Sequence, residues 1–122
     1  LSPRYLPALL NLADLQRARQ RDDLAAPLLA EATRAYPESA EAQHALGLLQ
    51  VRTGRLDAAV GLLARAARLA PDNPQYVLAH ALALLETGQR EAGLAVLRGA
   101  ARRFADDPQI RDALAGYSPT GR

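Results

Sequence analysis

Two histidines are the side chains of this sequence best suited to metal binding or proton transfer. His44 and His80 are the only two, and imidazole binds metals and exchanges protons near neutral pH. They are out of register with the repeat described below, so we expect them to face different directions. Zinc takes three or four ligands together. We therefore predict no metal site and no cofactor, and we interpret His80 as a buried histidine with a hydrogen-bond partner.

Paired carboxylates occur at residues 22–23 and 106–107, and such pairs can act as general acid and base. Both pairs stand where a helix is predicted to begin, so we assign them to helix capping and to the helix dipole. Serine and threonine are few, and none is arranged with a base as an activated nucleophile. The sequence also lacks a glycine-rich phosphate loop. These observations favour a non-catalytic chain.

The composition indicates an all-α fold. Hydrophobic residues make up 49% of the 122 residues, but aromatic residues only 4%. Alanine and leucine dominate, and both favour helices over strands. The length suits one domain with a modest core.

Charge and hydropathy restrict the class of partner. The net charge is +2 and acidic residues are interspersed among the arginines, so no basic stripe indicates nucleic acid. No apolar run approaches the ~20 residues that cross a bilayer, so we predict no membrane insertion. The absence of cysteine leaves the compartment open between bacterial cytoplasm and periplasm. A start at Leu1 rather than methionine leads us to expect an excised or processed piece of a longer protein.

The chain repeats itself with a period of 34 residues, the spacing from Gly54 to Gly88. At this shift the segment 38–73 aligns with 72–107, and Leu63 falls on Leu97. The same shift extends back into the first third of the chain. Small residues form two further columns, which are Ala13, Gly47 and Ala81, and Ala25, Ala59 and Gly93. A period of this length is typical of stacked helical hairpins.

Each repeat is predicted to be a hairpin of a helix A and a helix B. Helix A is expected at 7–20, 40–53 and 74–87, and helix B at 23–36, 57–70 and 91–104. Asn73 followed by Pro74 supplies a helix start, and Gly54 and Gly88 supply the backbone freedom that ends helix A. Residues 1–5 are interpreted as the tail of an earlier repeat. Because one hairpin cannot bury its apolar face alone, neighbouring copies are expected to cover it, with the small residues where helices cross.

These columns resemble the tetratricopeptide repeat family. In the second repeat the matching residues are Leu46, Gly47, Gly54, Ala59, Leu63, Ala66 and Pro71. The resemblance implies a single domain over residues 1–122, a right-handed α-solenoid of helix-turn-helix repeats. Its parts would be three full repeats at about 6–39, 40–73 and 74–107, and a capping or truncated C-terminal helix at 108–117. Leu9, Gln43 and Val77 stand where the family has a large aromatic residue, and we expect softer packing there.

The resemblance further implies that helix A lines a concave groove holding a peptide or a helix of a partner. The groove-facing residues would be Leu10, Asp14, Arg17, Glu41, His44, Leu48, Val51, Arg52, Gln75, Leu78, Leu82, Leu85 and Glu86. Those predicted to form an apolar strip are Leu48, Val51, Leu78, Leu82 and Leu85. Arg17 and Arg52 would add positive charge at its edge. The alternative is that neighbouring helices, missing repeats or a second copy of the chain cover part of this strip.

Some members of the family hold a C-terminal carboxylate with a Lys/Asn/Arg clamp. The positions that match it in this sequence include Leu10, Asp14, Ala45 and Ala79. We therefore expect no binding of chaperone tails by such a clamp.

The sequence predicts a non-catalytic interaction or scaffold module whose partner is a protein or a peptide. The alternative is a helical segment of a larger bacterial enzyme or redox protein with a structural or oligomerisation role. Repeats rich in alanine, leucine and arginine resemble those attached to glycosyltransferases or multihaem cytochromes. Association into a homodimer is a third hypothesis.

Overall fold

The computed structural model of the protein describes residues 5–117. This part of the chain contains seven α-helices and no strand. They are α1 (Tyr5–Ala18), α2 (Asp22–Ala35), α3 (Ala40–Arg52), α4 (Leu56–Leu69), α5 (Pro74–Glu86), α6 (Arg90–Arg103) and α7 (Pro108–Tyr117). The helices pack chiefly on their neighbours in sequence, as in a solenoid. The predicted all-α fold of three hairpins and a final helix is confirmed.

The start of α1 corrects one prediction. Tyr5 already belongs to α1, so it is not part of a preceding tail, and Pro7 lies in the first turn, where proline is tolerated. The rest of that predicted tail, residues 1–4, lies outside the described residues.

Side-chain caps begin helices α3 and α5, and a left-handed residue follows each of α1, α3 and α5. The Asn73 carboxamide accepts hydrogen bonds from the backbone N–H groups of Gln75 and Tyr76 at 3.0 and 3.3 Å. Gly54 and Gly88 have φ angles of 81° and 83°, a conformation that glycine adopts without steric cost. Gln20 holds the same place in the first repeat with φ 60°, so the hairpin geometry imposes this turn even without glycine.

The two acidic pairs behave differently from each other. Asp107 caps α7, because its carboxylate accepts the N–H groups of Gln109 and Ile110 at 2.9 and 3.1 Å. Asp22 and Asp23 instead lie inside the first turn of α2, after its N-cap residue Arg21. The predicted capping role is therefore wrong for this pair. Their negative charge still suits the positive end of the helix dipole.

The columns of small residues lie in the core. Ala13, Ala25, Ala59 and Ala81 are fully or almost fully buried, and Gly47 and Gly93 are buried as well. A Cβ atom at Gly47 would lie 2.6 Å from a methyl carbon of Leu63. Small residues thus allow the close approach of helices that the repeat pattern predicts.

Replacing Gly93 by alanine is expected to destabilise the protein by about 1–3 kcal/mol. Its Cβ would lie 2.7 Å from Leu85 Cγ and 3.1 Å from the carbonyl oxygen of Ala81. Gly99 is the matched control in the same helix, because a Cβ there meets nothing within 4 Å. Gly99→Ala is expected to stabilise the protein by roughly 0.5–1 kcal/mol, since alanine favours helices. Urea unfolding followed by circular dichroism measures both changes. Changes in the free energy of unfolding that have the same sign in the two variants would contradict this packing.

Two leucines on the outer face of α1 are exposed in the described structure. Leu12 is 48% exposed, whereas Leu46, its equivalent in the second repeat, is only 8% exposed because α2 covers it. Leu15 and its equivalent Leu49 differ in the same way. The first hairpin therefore presents leucines whose equivalents in the second hairpin are buried. None of the helices within residues 5–117 has the length and apolar character needed to span a membrane.

Candidate functional site

A cavity of about 500 Å³ lies between α1 and α3, over α2 and beside the first turn of α5. Its apolar lining includes Ala13, Ala25, Leu29 and Ala45. The remaining lining residues are Leu10, Asn11, Asp14, Arg17, Glu41, His44, Leu48, Arg52, Gln75 and Tyr76. We call this cavity the groove. It combines an apolar floor with walls that carry polar side chains and two leucines, a composition common in ligand sites.

The structure brings together most of the residues that the first two repeats were predicted to contribute. The predicted site residues that line the groove are Leu10, Asp14, Arg17, His44, Leu48 and Arg52, together with Glu41 and Gln75. Leu48 remains partly exposed although it lies in the groove. Partner binding by these residues stays a prediction.

The other predicted site residues lie outside the groove. Val51 is exposed beyond it, and Leu82 is half-buried. Leu78 packs against the cluster that contains Ile110 of α7, and Leu85 packs against the cluster that contains Leu94 of α6. Glu86 is exposed and also lies outside. The predicted apolar strip is therefore divided, because neighbouring helices take up part of its third-repeat leucines.

Tyr76 is a groove residue that the sequence analysis missed. Its ring stacks on the imidazole of His44 with centroids 4.3 Å apart and planes inclined by 28°. The two residues belong to successive repeats, and the cap at Asn73 fixes the first turn of α5 that carries the tyrosine. The only available signal was an aromatic residue next to Gln75, itself predicted to face the groove. The contact itself depends on how α5 lies on α3.

Two ion pairs neutralise most of the charge around the groove. Arg17 pairs with Asp14 within α1. Arg52 of α3 pairs with Asp22 of α2, with Nη2 and Oδ1 3.1 Å apart. No hydrogen-bond or ion-pair partner of Glu41 is found among residues 5–117. The arginines that were predicted to give the groove a positive edge are therefore paired with carboxylates. The charge that remains unpaired on the groove wall, that of Glu41, is negative.

The two histidines lie in different surroundings. Burial lowers the pKa of His44, and its Nδ1 atom is buried without a hydrogen-bond partner in the described structure. Burial, and then the positive charge of Arg68, lowers the pKa of His80, which is half-buried. Both imidazoles are therefore neutral at physiological pH. Within residues 5–117 no three side chains of the metal-binding types form a group that could hold a metal ion.

Acidification is expected to destabilise the protein through these two histidines. Their pKa values are lower in the folded state than the ~6.5 of an unfolded chain. The unfolded state therefore binds more protons below that pH, and stability falls as the pH drops through about 6.5 towards the folded-state values. Urea unfolding at a series of pH values measures the effect. The His44→Gln/His80→Gln double variant is the control, and an unchanged slope in this window would contradict the assignment.

A sequence profile of the tetratricopeptide repeat family matches residues 8–74, and a second profile of the same family matches residues 50–117. Together the two matches cover almost all of the described chain. No curated protein matches the sequence significantly.

Solved structures with the same fold include a mutant O-GlcNAc transferase of Thermobaculum terrenum. It has a TM-score of 0.80 and 26% sequence identity over 96% of this chain, which spans only 23% of the transferase chain. The Yersinia enterocolitica chaperone SycD in complex with a peptide of the translocator YopD gives a TM-score of 0.81. The identity is 20%, and the match covers 96% of this chain and 89% of SycD.

A third similar structure is the first repeat domain of Spaghetti (RPAP3) bound to an HSP90 peptide. Its TM-score is 0.84 at 11% identity, with 97% of this chain and 96% of that chain covered. At such identities the similarity to RPAP3 and SycD concerns the fold alone.

Proposed function

From the premise that this chain belongs to the tetratricopeptide repeat family, we propose that it is a non-catalytic interaction module that binds an extended peptide segment of a partner protein in the groove. The observation that carries the proposal is an open cavity of about 500 Å³ with leucines from two repeats on its wall. An exposed leucine beside polar side chains suits an apolar anchor residue of a partner.

Two similar structures support a peptide as the ligand. SycD is described in complex with a YopD peptide, and RPAP3 with an HSP90 peptide. This protein matches both SycD and RPAP3 over most of the length of their chains. The shared fold makes the same class of ligand the first choice here, while the residues of the groove decide which peptide fits.

The proposal is tested by selecting binders from a random peptide library displayed on phage. Selected peptides are then titrated into isotope-labelled protein, and the backbone resonances that shift are mapped. We expect the largest shifts on α1, α3 and the first turn of α5, because these elements line the groove. Shifts confined to other helices would contradict the proposal.

The O-GlcNAc transferase favours a second candidate, a helical segment of a larger enzyme. This chain is similar to 23% of that protein's length, and in such a setting its groove would present or position a segment of substrate protein. The gene sequence on both sides of this chain distinguishes the two candidates, since a catalytic domain in the same reading frame supports the second.

Self-association is the competing use of the exposed leucines. Leu12 and Leu15 on α1 are exposed, whereas the second repeat buries the equivalent residues Leu46 and Leu49. A second copy could cover them. Sedimentation velocity over a concentration series separates this hypothesis from peptide binding, because a homodimer would sediment faster as the concentration rises.

A further inference from the structure

We propose that the peptide held in the groove carries an arginine or lysine beside its apolar anchor, and that this basic side chain pairs with Glu41 and lies against the Tyr76–His44 stack. The inference rests on the proposed function and names the chemistry of its ligand. It follows from the unpaired charge, from the aromatic surface next to it, and from the position of the apolar wall.

Within residues 5–117, the ion pairs around the groove leave one carboxylate, that of Glu41, unpaired. Asp14 and Arg17 neutralise each other, and Arg52 is held by Asp22 at 3.1 Å. Glu41 is left as the groove carboxylate without a partner among the described residues. A cation on the ligand would complete this pair, whereas an anion would meet an uncompensated negative charge.

An aromatic surface forms part of the groove. The rings of His44 and Tyr76 stack at 4.3 Å and form part of the groove lining. A guanidinium or ammonium group is attracted to the face of a tyrosine ring within about 6 Å of its centre. Arginine fits better than lysine, because its planar group can stack on the ring and still donate hydrogen bonds to a carboxylate.

The aromatic pair carries no positive charge that would repel a cation. Burial lowers the pKa of His44, so its ring is neutral at physiological pH. Burial, and then the negative charge of Glu41, raises the pKa of Tyr76, and both residues line the same groove. Glu41 and His44 also lie one turn apart on α3, so they share one face of that helix.

The position of the apolar wall sets the order of the two ligand groups. Leu48 lies one turn beyond His44 on α3, on the side away from Glu41, and Leu10 of α1 also lines the groove. A peptide whose apolar side chain contacts Leu48 therefore has another side chain beside His44 and Glu41. The ligand is an apolar residue with a basic residue two positions away along an extended segment, because alternate side chains of an extended chain share one face.

The experiment uses the peptides selected against the whole chain and compares each with a copy in which citrulline replaces arginine. Citrulline keeps the shape of the side chain but removes its charge. We expect the selected peptides to be enriched in arginine or lysine two positions from an apolar residue. We also expect citrulline to weaken binding about tenfold or more, measured by fluorescence anisotropy, because a charged hydrogen-bonded pair and a cation–π contact are lost.

Variants of the chain assign the effect to Glu41. In Glu41→Gln the difference between the arginine and citrulline peptides is expected to shrink to about threefold or less, the part left to the aromatic contact. Glu86→Gln is the control, since Glu86 is exposed on α5 outside the groove, and it should leave the full difference in place. Tyr76→Leu should also reduce the preference for arginine while keeping an apolar contact.

The outcomes separate this inference from the proposed function. Peptides that bind in the groove without a basic residue, or an unchanged preference in Glu41→Gln, would overturn the inference and leave the peptide groove standing. Binding that maps away from α1 and α3 would overturn the proposed function itself. A preference for acidic peptides would also contradict the inference, because the binding of an acidic peptide requires a positively charged groove.

Discussion

Replacing Leu63 with alanine is expected to lower the free energy of unfolding by about 2–5 kcal/mol. Leu63 is 1% exposed and belongs to a cluster with Ala59 and Ala83. It also lies directly over Gly47, where a Cβ atom would come within 2.6 Å of it. Its removal therefore leaves a cavity at the point where α3, α4 and α5 meet. Urea unfolding followed by far-ultraviolet circular dichroism measures the loss.

Leu69 provides the matched control for this prediction. It lies on the same helix α4 but is 37% exposed. Leu69→Ala is expected to cost less than about 1 kcal/mol, because little apolar area returns to water and no cavity forms. Similar losses for the two variants would show that the helix crossing at Gly47 is not the core contact described above.

A Leu48→Glu substitution is expected to weaken the binding of a selected peptide by about 30-fold or more. The leucine lies on the groove wall but is partly exposed, so the charged side chain can reach water in the free protein. A ligand that covers it with an apolar anchor would have to desolvate the carboxylate. Loss of a central anchor contact costs about 2 kcal/mol or more in such interfaces. Fluorescence anisotropy gives the affinity, and circular dichroism checks that the helices remain.

The control for Leu48 is Leu24, another exposed leucine, on α2 and outside the groove. Leu24→Glu introduces the same charge and should leave peptide affinity within about twofold, since surface changes away from the contact have small effects. If Leu24→Glu weakened binding as much as Leu48→Glu, the effect would come from net charge, and the groove assignment would be wrong.

The repeat period predicted much of the fold because it reports a contact that recurs. Gly54 and Gly88 stand one period apart and both adopt the left-handed conformation that ends helix A. Gly47 and Gly93 lie where a Cβ atom would meet a leucine of the neighbouring helix. These positions could be recognised from the sequence since each residue type meets a local requirement that every hairpin shares. The ion pair of Asp22 could not be recognised in this way, because its partner Arg52 is 30 residues away in the sequence.

The candidate site was only partly predictable for the same reason. Leu10 and Leu78 hold equivalent places in their repeats, and both were predicted to face the groove. Leu10 lines the cavity between α1 and α3, whereas Leu78 packs against the cluster that contains Ile110 of α7. The register of a helix specifies which direction a side chain faces, but not which neighbour lies there.

The sequence by itself determined the helical hairpins, their period and the small residues at their crossings, because these follow from local propensity and from one repeated contact. The tertiary structure decided which leucines remain accessible, which arginines are already paired, and that Tyr76 of one repeat stacks on His44 of another. These features depend on the distances between side chains of different helices. Such distances are set only when the hairpins stack.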